Sequence, residues 1–150
     1  VGSEFQTEYS HHYGILKFRE YGVVLITVVN REYAKKILVM LPGQKHPTHM
    51  HKLKEETFIV NSGKLDLWLD GKHLEMGEGD SVTVPPGTWH SFETLAGCIF
   101  EEISSTAFSN DSYYKDPKLR NLPAAERKTT VDNWGRFQLT EQIADLMRRL

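Results

Sequence analysis

The architecture of this chain is readable first in GQKHPTHMHKLKEETFIVNSG, residues 43–63, and then in GDSVTVPPGTWH, residues 79–90. Residues two apart on a strand share a face, so His49 and His51 project the same way. Glu56 has the opposite parity. A continuous strand would turn it away, so Lys52-Leu53-Lys54 must form a turn or bulge that returns Glu56 to face the histidines from a neighbouring strand. Phe58 to Val60 is a short apolar run that ends at Asn61-Ser62-Gly63. In the second stretch, Ser81 to Val84 is a strand candidate stopped by Pro85-Pro86-Gly87, which places His90 at the start of the next strand.

Outward from these stretches the same grammar continues. Val23 to Val29 and Ala34 to Leu41 are rich in Val, Ile and Leu, and the second stops at Pro42-Gly43. Leu65, Leu67 and Leu69 occupy every second position, and Asp70-Gly71 follows as a two-residue hairpin signal, because both central residues of a type I′ turn need positive φ. Trp89 to Phe92 and Cys98 to Ile103 complete the set. Many short strands without an intervening helix predict an all-β sandwich or barrel. Residues 7–104 form this unit. Residues 105–138 are polar and rich in turn signals, and are expected to wrap it as a tail. In residues 139–150, Ile143, Leu146, Met147 and Leu150 follow helical spacing behind Thr140 as N-cap, predicting an amphipathic C-terminal helix. Residues 1–6 read as an expression scar.

At 150 residues and 39% apolar content the chain fits one domain with one core. Acidic and basic residues number 20 and 18 and are interspersed, so no basic stripe points to nucleic acid. No apolar run reaches the roughly 18 residues of a membrane span. One cysteine, Cys98, excludes an intramolecular disulfide and suits a reducing cytoplasm.

Three imidazoles and a carboxylate suit Zn, Mn, Fe, Ni or Co and leave one or two positions open. Each imidazole must be neutral at the bound nitrogen, so affinity for the ion is expected to fall below about pH 6, near the free-histidine value. The spacings Gly43-x5-His49-x-His51-x4-Glu56-x6-Gly63 and Gly79-x5-Pro85-x-Gly87-x2-His90 resemble the two motifs of the cupin superfamily. They depart from the pattern only at Thr94, where an Asn that does not ligate metal is usual. The resemblance implies a double-stranded β-helix (jelly-roll) barrel holding one divalent ion on His49, His51, Glu56 and His90. His11, His12, His46 and His73 are expected at the surface.

A narrower resemblance spans roughly residues 40–130. It rests on residues 49–58 and 87–92, on Phe100-Glu101-Glu102-Ile103-Ser104, on Asn110-Asp111-Ser112-Tyr113-Tyr114 and on Arg127-Lys128-Thr129. It points to the cupins related to D-lyxose isomerase and to the cupin domains joined to sialic-acid-synthase-like enzymes, which handle open-chain sugars. The implied activity is metal-dependent isomerisation or epimerisation of a sugar. A sugar-binding accessory domain and a metal-dependent dioxygenase are the alternatives. Glu102 is the candidate base; it shares strand parity with Phe100, whereas Glu101 shares its face with Ile99 and Ile103. Lys45, Lys54, Tyr113, Tyr114 and Arg127 are candidate substrate contacts near the barrel mouth. Alternation turns Trp68 and Ile59 away from the interior, which predicts a sheet-on-sheet homodimer through a face they share.

Overall fold

The computed structural model describes residues 6–131. The helix expected at 139–150 lies outside the described residues, as do most of the residues read as a scar. Twelve strands are present among those described: β1 (Gln6–Ser10), β2 (Val23–Asn30), β3 (Tyr33–Met40), β4 (Lys45–Met50), β5 (Glu56–Gly63), β6 (Leu65–Leu69), β7 (Lys72–Met76), β8 (Ser81–Val84), β9 (His90–Glu93), β10 (Cys98–Ser105), β11 (Tyr113–Tyr114) and β12 (Lys128–Val131). They form two antiparallel sheets, a seven-stranded one in the order β12-β1-β2-β3-β10-β5-β8 and a five-stranded one in the order β11-β4-β9-β6-β7. This is the jelly-roll arrangement. Two single helical turns, α1 (Pro117–Arg120) and α2 (Ala124–Arg127), interrupt the tail, which contributes β11 to one sheet and β12 to the other.

Alternation decides which side chains fill the space between the sheets. Phe58 and Phe100 come from the seven-stranded sheet and Phe92 from the five-stranded one. Their rings meet edge to face with centroids 5.4–5.7 Å apart, the arrangement aromatic quadrupoles prefer. Leu38, Met40, Val60, Leu65, Leu67, Met76, Val84 and Cys98 complete this core. Burial pushes the free Cys98 thiol up to about 11, so it packs as a small apolar group.

The turns follow the residues that permit them. Asp70 and Gly71 both have positive φ, 46° and 83°, and join β6 to β7 with Leu69 opposite Lys72. Gly63 sits at φ 84° where a Cβ would lie 2.3 Å from the Gly97 carbonyl oxygen, so only glycine fits between β5 and the start of β10. Thr94 ties the same corner: its hydroxyl donates to the Lys64 carbonyl at 2.7 Å and accepts from the Gly97 N–H at 3.1 Å.

Two expectations change here. Trp68 lies on β6 and Ile59 on β5, which belong to different sheets, so they cannot share one outer face. Trp68 is instead half-buried and stacked on His73, 4.7 Å between ring centroids, and the His73 ring meets Asp66 at 2.7 Å. The second change concerns histidines. His11 and His12 are buried and His46 is half-buried against the cavity, so none of the three is superficial. β1 is a polar strand held between β12 and β2, and it carries the chain on so that His12 lies under Tyr21 and against His46. His12 Nδ1 lies 2.8 Å from the Tyr21 carbonyl and its Nε2 lies 3.2 Å from His46 Nε2. Burial holds His12 down to about 4 and His46 well below the ordinary histidine value.

Candidate metal centre

β4 delivers His49, and His51 follows immediately after its end. The chain then bends through Lys52-Leu53-Lys54 and re-enters as β5 with Glu56 first. The bend is held from a distance: the Asp111 carboxylate accepts hydrogen bonds from the backbone N–H groups of Lys52, Leu53 and Lys54 at 2.9–3.3 Å. His90 opens β9 directly opposite His49. One ligand atom from each of His49, His51, Glu56 and His90 lies within 4.8 Å of the others, and all four residues are buried. This cluster can hold a metal ion.

The hydrogen bonds around the cluster test that fit. His49 Nδ1 lies 3.1 Å from the Pro47 carbonyl, His51 Nδ1 2.7 Å from the Asp111 carbonyl and His90 Nδ1 3.0 Å from the Thr88 carbonyl. A carbonyl can only accept, so a neutral ring carries its proton on Nδ1 in each case and presents the Nε2 lone pair inward. That is the tautomer a metal requires, fixed by an outer layer of backbone acceptors. His90 Nε2 and Glu56 Oε1 approach to 2.8 Å without forming a proper hydrogen bond. Two lone-pair donors at this separation fit ligands converging on a cation.

Electrostatics keep the donors in their binding forms. Burial, aided by neighbouring His90, His46 and His51, holds His49 well below the ordinary histidine value; burial and Lys54 also lower His51. Burial would raise the Glu56 carboxyl, but the Lys54 ammonium and His90 outweigh it and hold the acid far below its usual range. The sign of the pH dependence follows. An unfolded chain takes up protons at His49 and His51 near pH 6.5, whereas in the folded, metal-free protein these two resist until lower pH, so stability falls as pH drops below about 6.5. Metal loss, driven by the same protonation, begins lower than the value of about 6 expected from free histidine. Metal content measured after dialysis from pH 7 to pH 4 should be undiminished at about pH 6 and fall only in more acid buffer. A loss centred near 6.5 would mean that the rings are not desolvated.

The centre opens into a cavity of about 280 Å³ between the sheets. Glu102 points into it, 4% exposed, and Lys54 lies between Glu102 and Glu56: its ammonium is 2.7 Å from Glu102 Oε1 and 2.6 Å from Glu56 Oε2. Burial alone would lower the Lys54 ammonium, yet the two carboxylates raise it, so it stays charged. Glu101 points outward and pairs with Lys35 at 3.1 Å.

Among the other residues singled out from sequence, Tyr114 lines the cavity. Tyr113 stands outside under Lys52, whose ammonium is 4.3 Å from the ring centroid. Arg127 stacks 5.1 Å over Tyr114, donates to the carbonyls of Leu119 and Leu122, and lines a small adjoining pocket. Lys45 lies outside the cavity at the surface, 3.9 Å from Glu93. The sequence reading assigns Asp111 and Lys128 a place in the narrower resemblance but no role, and it singles out neither Lys36 nor Glu8. Lys36 was within its reach, because it has the inward parity of Ala34, Leu38 and Met40 on β3.

Comparison with known proteins agrees with this picture. The Cupin domain family matches residues 36–97. The chain is 27% identical to D-lyxose/D-mannose isomerase of Thermosediminibacter oceani, over 76% of this chain and 79% of that one. It is 28% identical to D-lyxose ketol-isomerase of Cohnella laeviribosi over the same shares. Its fold is similar to that of L-ribose isomerase from Cellulomonas parahominis, with a TM-score of 0.62, 12% identity, and coverage of 69% of this chain and 74% of that one. Residues 36–97 thus match the cupin family in motif and fold, and the chain resembles the D-lyxose isomerases over most of its length.

Proposed function

We propose that this protein is a metal-dependent aldose–ketose isomerase acting on an open-chain sugar, with His49, His51, Glu56 and His90 holding the ion and Glu102 moving the proton. The observation that carries this reading is the buried line Glu56–Lys54–Glu102, which sets a second carboxylate beside the ligand cluster inside a closed-in cavity. The isomerases similar to it in sequence support the same class.

Isomerisation needs no oxidant: one proton leaves C2 and one arrives at C1, while the C2 hydroxyl proton passes to the C1 oxygen. The ion, when bound, supplies Lewis acidity that draws electron density from those two oxygens. Glu102 accepts the C2 proton and returns it to C1. Lys54 fixes the orientation of that carboxylate through Oε1 and leaves Oε2 for the substrate. The cavity walls, with Phe58, Phe92 and Leu38 among them, limit the water that could carry the proton off.

A panel of aldoses incubated in D2O with the protein and Mn, Zn, Fe, Ni or Co tests this. NMR should show deuterium entering at C2 of one aldose, or at C1 of its ketose, and chelation should stop it. Sugar binding with no exchange under any of these metals would instead make the protein a sugar-binding accessory domain.

A further inference from the structure

The charged side chains of the cavity are not all held in ion pairs or hydrogen bonds. Lys54 is held by Glu56 and Glu102, and Lys128 by Glu8 at 2.9 Å. Glu8 also accepts from the Ser10 hydroxyl. Asp111 is used up by the backbone of residues 52–54. Lys36 lines the same cavity and enters no ion pair or hydrogen bond among the described residues, although its charge reaches Glu8 and helps hold that acid down. With Asp111 counted, the cavity holds three lysines against four carboxylates, so a divalent ion leaves it with a surplus of one positive charge.

The position of Lys36 gives that surplus a direction. Across the inner face of the seven-stranded sheet, Thr27, Lys36, Glu102 and Phe58 form one row on β2, β3, β10 and β5. Glu102 therefore stands between Lys36 and the strand that carries Glu56. Neighbouring strands are about 4.8 Å apart, so Lys36 lies on the order of 10 Å from β5, on the far side of the candidate base from the strand that begins with Glu56. A chain substrate with its carbonyl end at the ligand cluster would pass Glu102 and bring its other end toward Lys36.

We propose that Lys36 selects substrates whose end remote from the carbonyl bears an anion, so that the cavity takes an acidic open-chain sugar, with a terminal carboxylate or phosphate, in preference to a neutral one. This deepens the isomerase reading and rests on it for the orientation of the substrate, though the anion contact itself needs no turnover. A charge-assisted contact in a partly desolvated site is worth about 1.5–3 kcal/mol, which is about tenfold or more in affinity.

Calorimetric titration of the metal-free protein with gluconate, sorbitol 6-phosphate and sorbitol reads this directly. The expected result is that one or both acidic probes bind about tenfold tighter than sorbitol. Lys36→Met should erase that preference, with sorbitol binding unchanged, and Lys36→Arg should keep it. The tighter of the two acidic probes identifies the anion as carboxylate or phosphate. Equal binding of all three probes by the wild type, or a preference that survives in Lys36→Met, would overturn the proposal. Thermal melts of both variants confirm folding, and Lys36→Arg keeps the test decisive if Lys36→Met is unstable. If the preference depends on Lys36 but no aldose exchanges its C2 proton, the anion site stands and the isomerase reading alone falls.

Discussion

Glu102→Gln is expected to lower turnover and C2-proton exchange by at least about a hundredfold, within the 10²–10⁴ range typical of general acid–base groups. The amide keeps the shape of the side chain, and its oxygen can still accept from Lys54, so the cavity should remain intact. Only basicity is removed. Metal content and sugar affinity should change little, because Glu102 is not in the ligand cluster. Glu101→Gln is the internal control. Glu101 faces outward and pairs with Lys35, and an exposed pair of this kind contributes less than about 1 kcal/mol. Kinetics and deuterium incorporation for the two variants separate a catalytic carboxylate from a general loss of charge on β10. Equal losses would show that the face of β10 does not distinguish the two residues.

Lys54→Met should destabilise the metal-free protein by about 3–5 kcal/mol, the usual cost of stranding buried charge. Glu56 and Glu102 are 1% and 4% exposed and share the Lys54 ammonium. Without it they confront each other in a buried space, and one must take up a proton or the site must open. At about 2–4 °C per kcal/mol, that corresponds to a fall in Tm of roughly 10 °C. Adding a divalent ion should recover part of the loss, since the ion brings positive charge back beside Glu56. Denaturant unfolding of wild type and variant, with and without metal, gives all four stabilities. A variant within about 1 kcal/mol of wild type in the absence of metal would mean that the two carboxylates do not depend on Lys54.

The ligand cluster was legible because two local rules coincide in it. Strand parity puts His49 with His51, and the parity break at Glu56 demands the bend that the structure shows at residues 51–55. The Asp70-Gly71 hairpin was equally local. What escaped depended on distant chain. β1 has a polar sequence and gains its place only by pairing with β2 and β12 from the far end of the chain, so His12 gave no sign of being buried. Lys54 reads as a mouth lysine until two carboxylates from separate strands close on it. Trp68 and Ile59 were correctly turned outward by alternation, but alternation cannot say that their strands belong to different sheets.

Asp111 has a consequence for the timing of assembly. All four ligand residues have been synthesised by position 90, but the carboxylate that fixes the 52–54 bend and the carbonyl that orients His51 both belong to Asp111. A nascent chain therefore owns the donors of its metal site before it owns the clamp that aims them. In a fragment ending at Ser105, His51 would be free to turn its ring, and outer-layer contacts of this kind are worth about 10–100-fold in metal affinity. A divalent ion is therefore expected to bind a chain that stops before Asp111 more weakly than one that includes it.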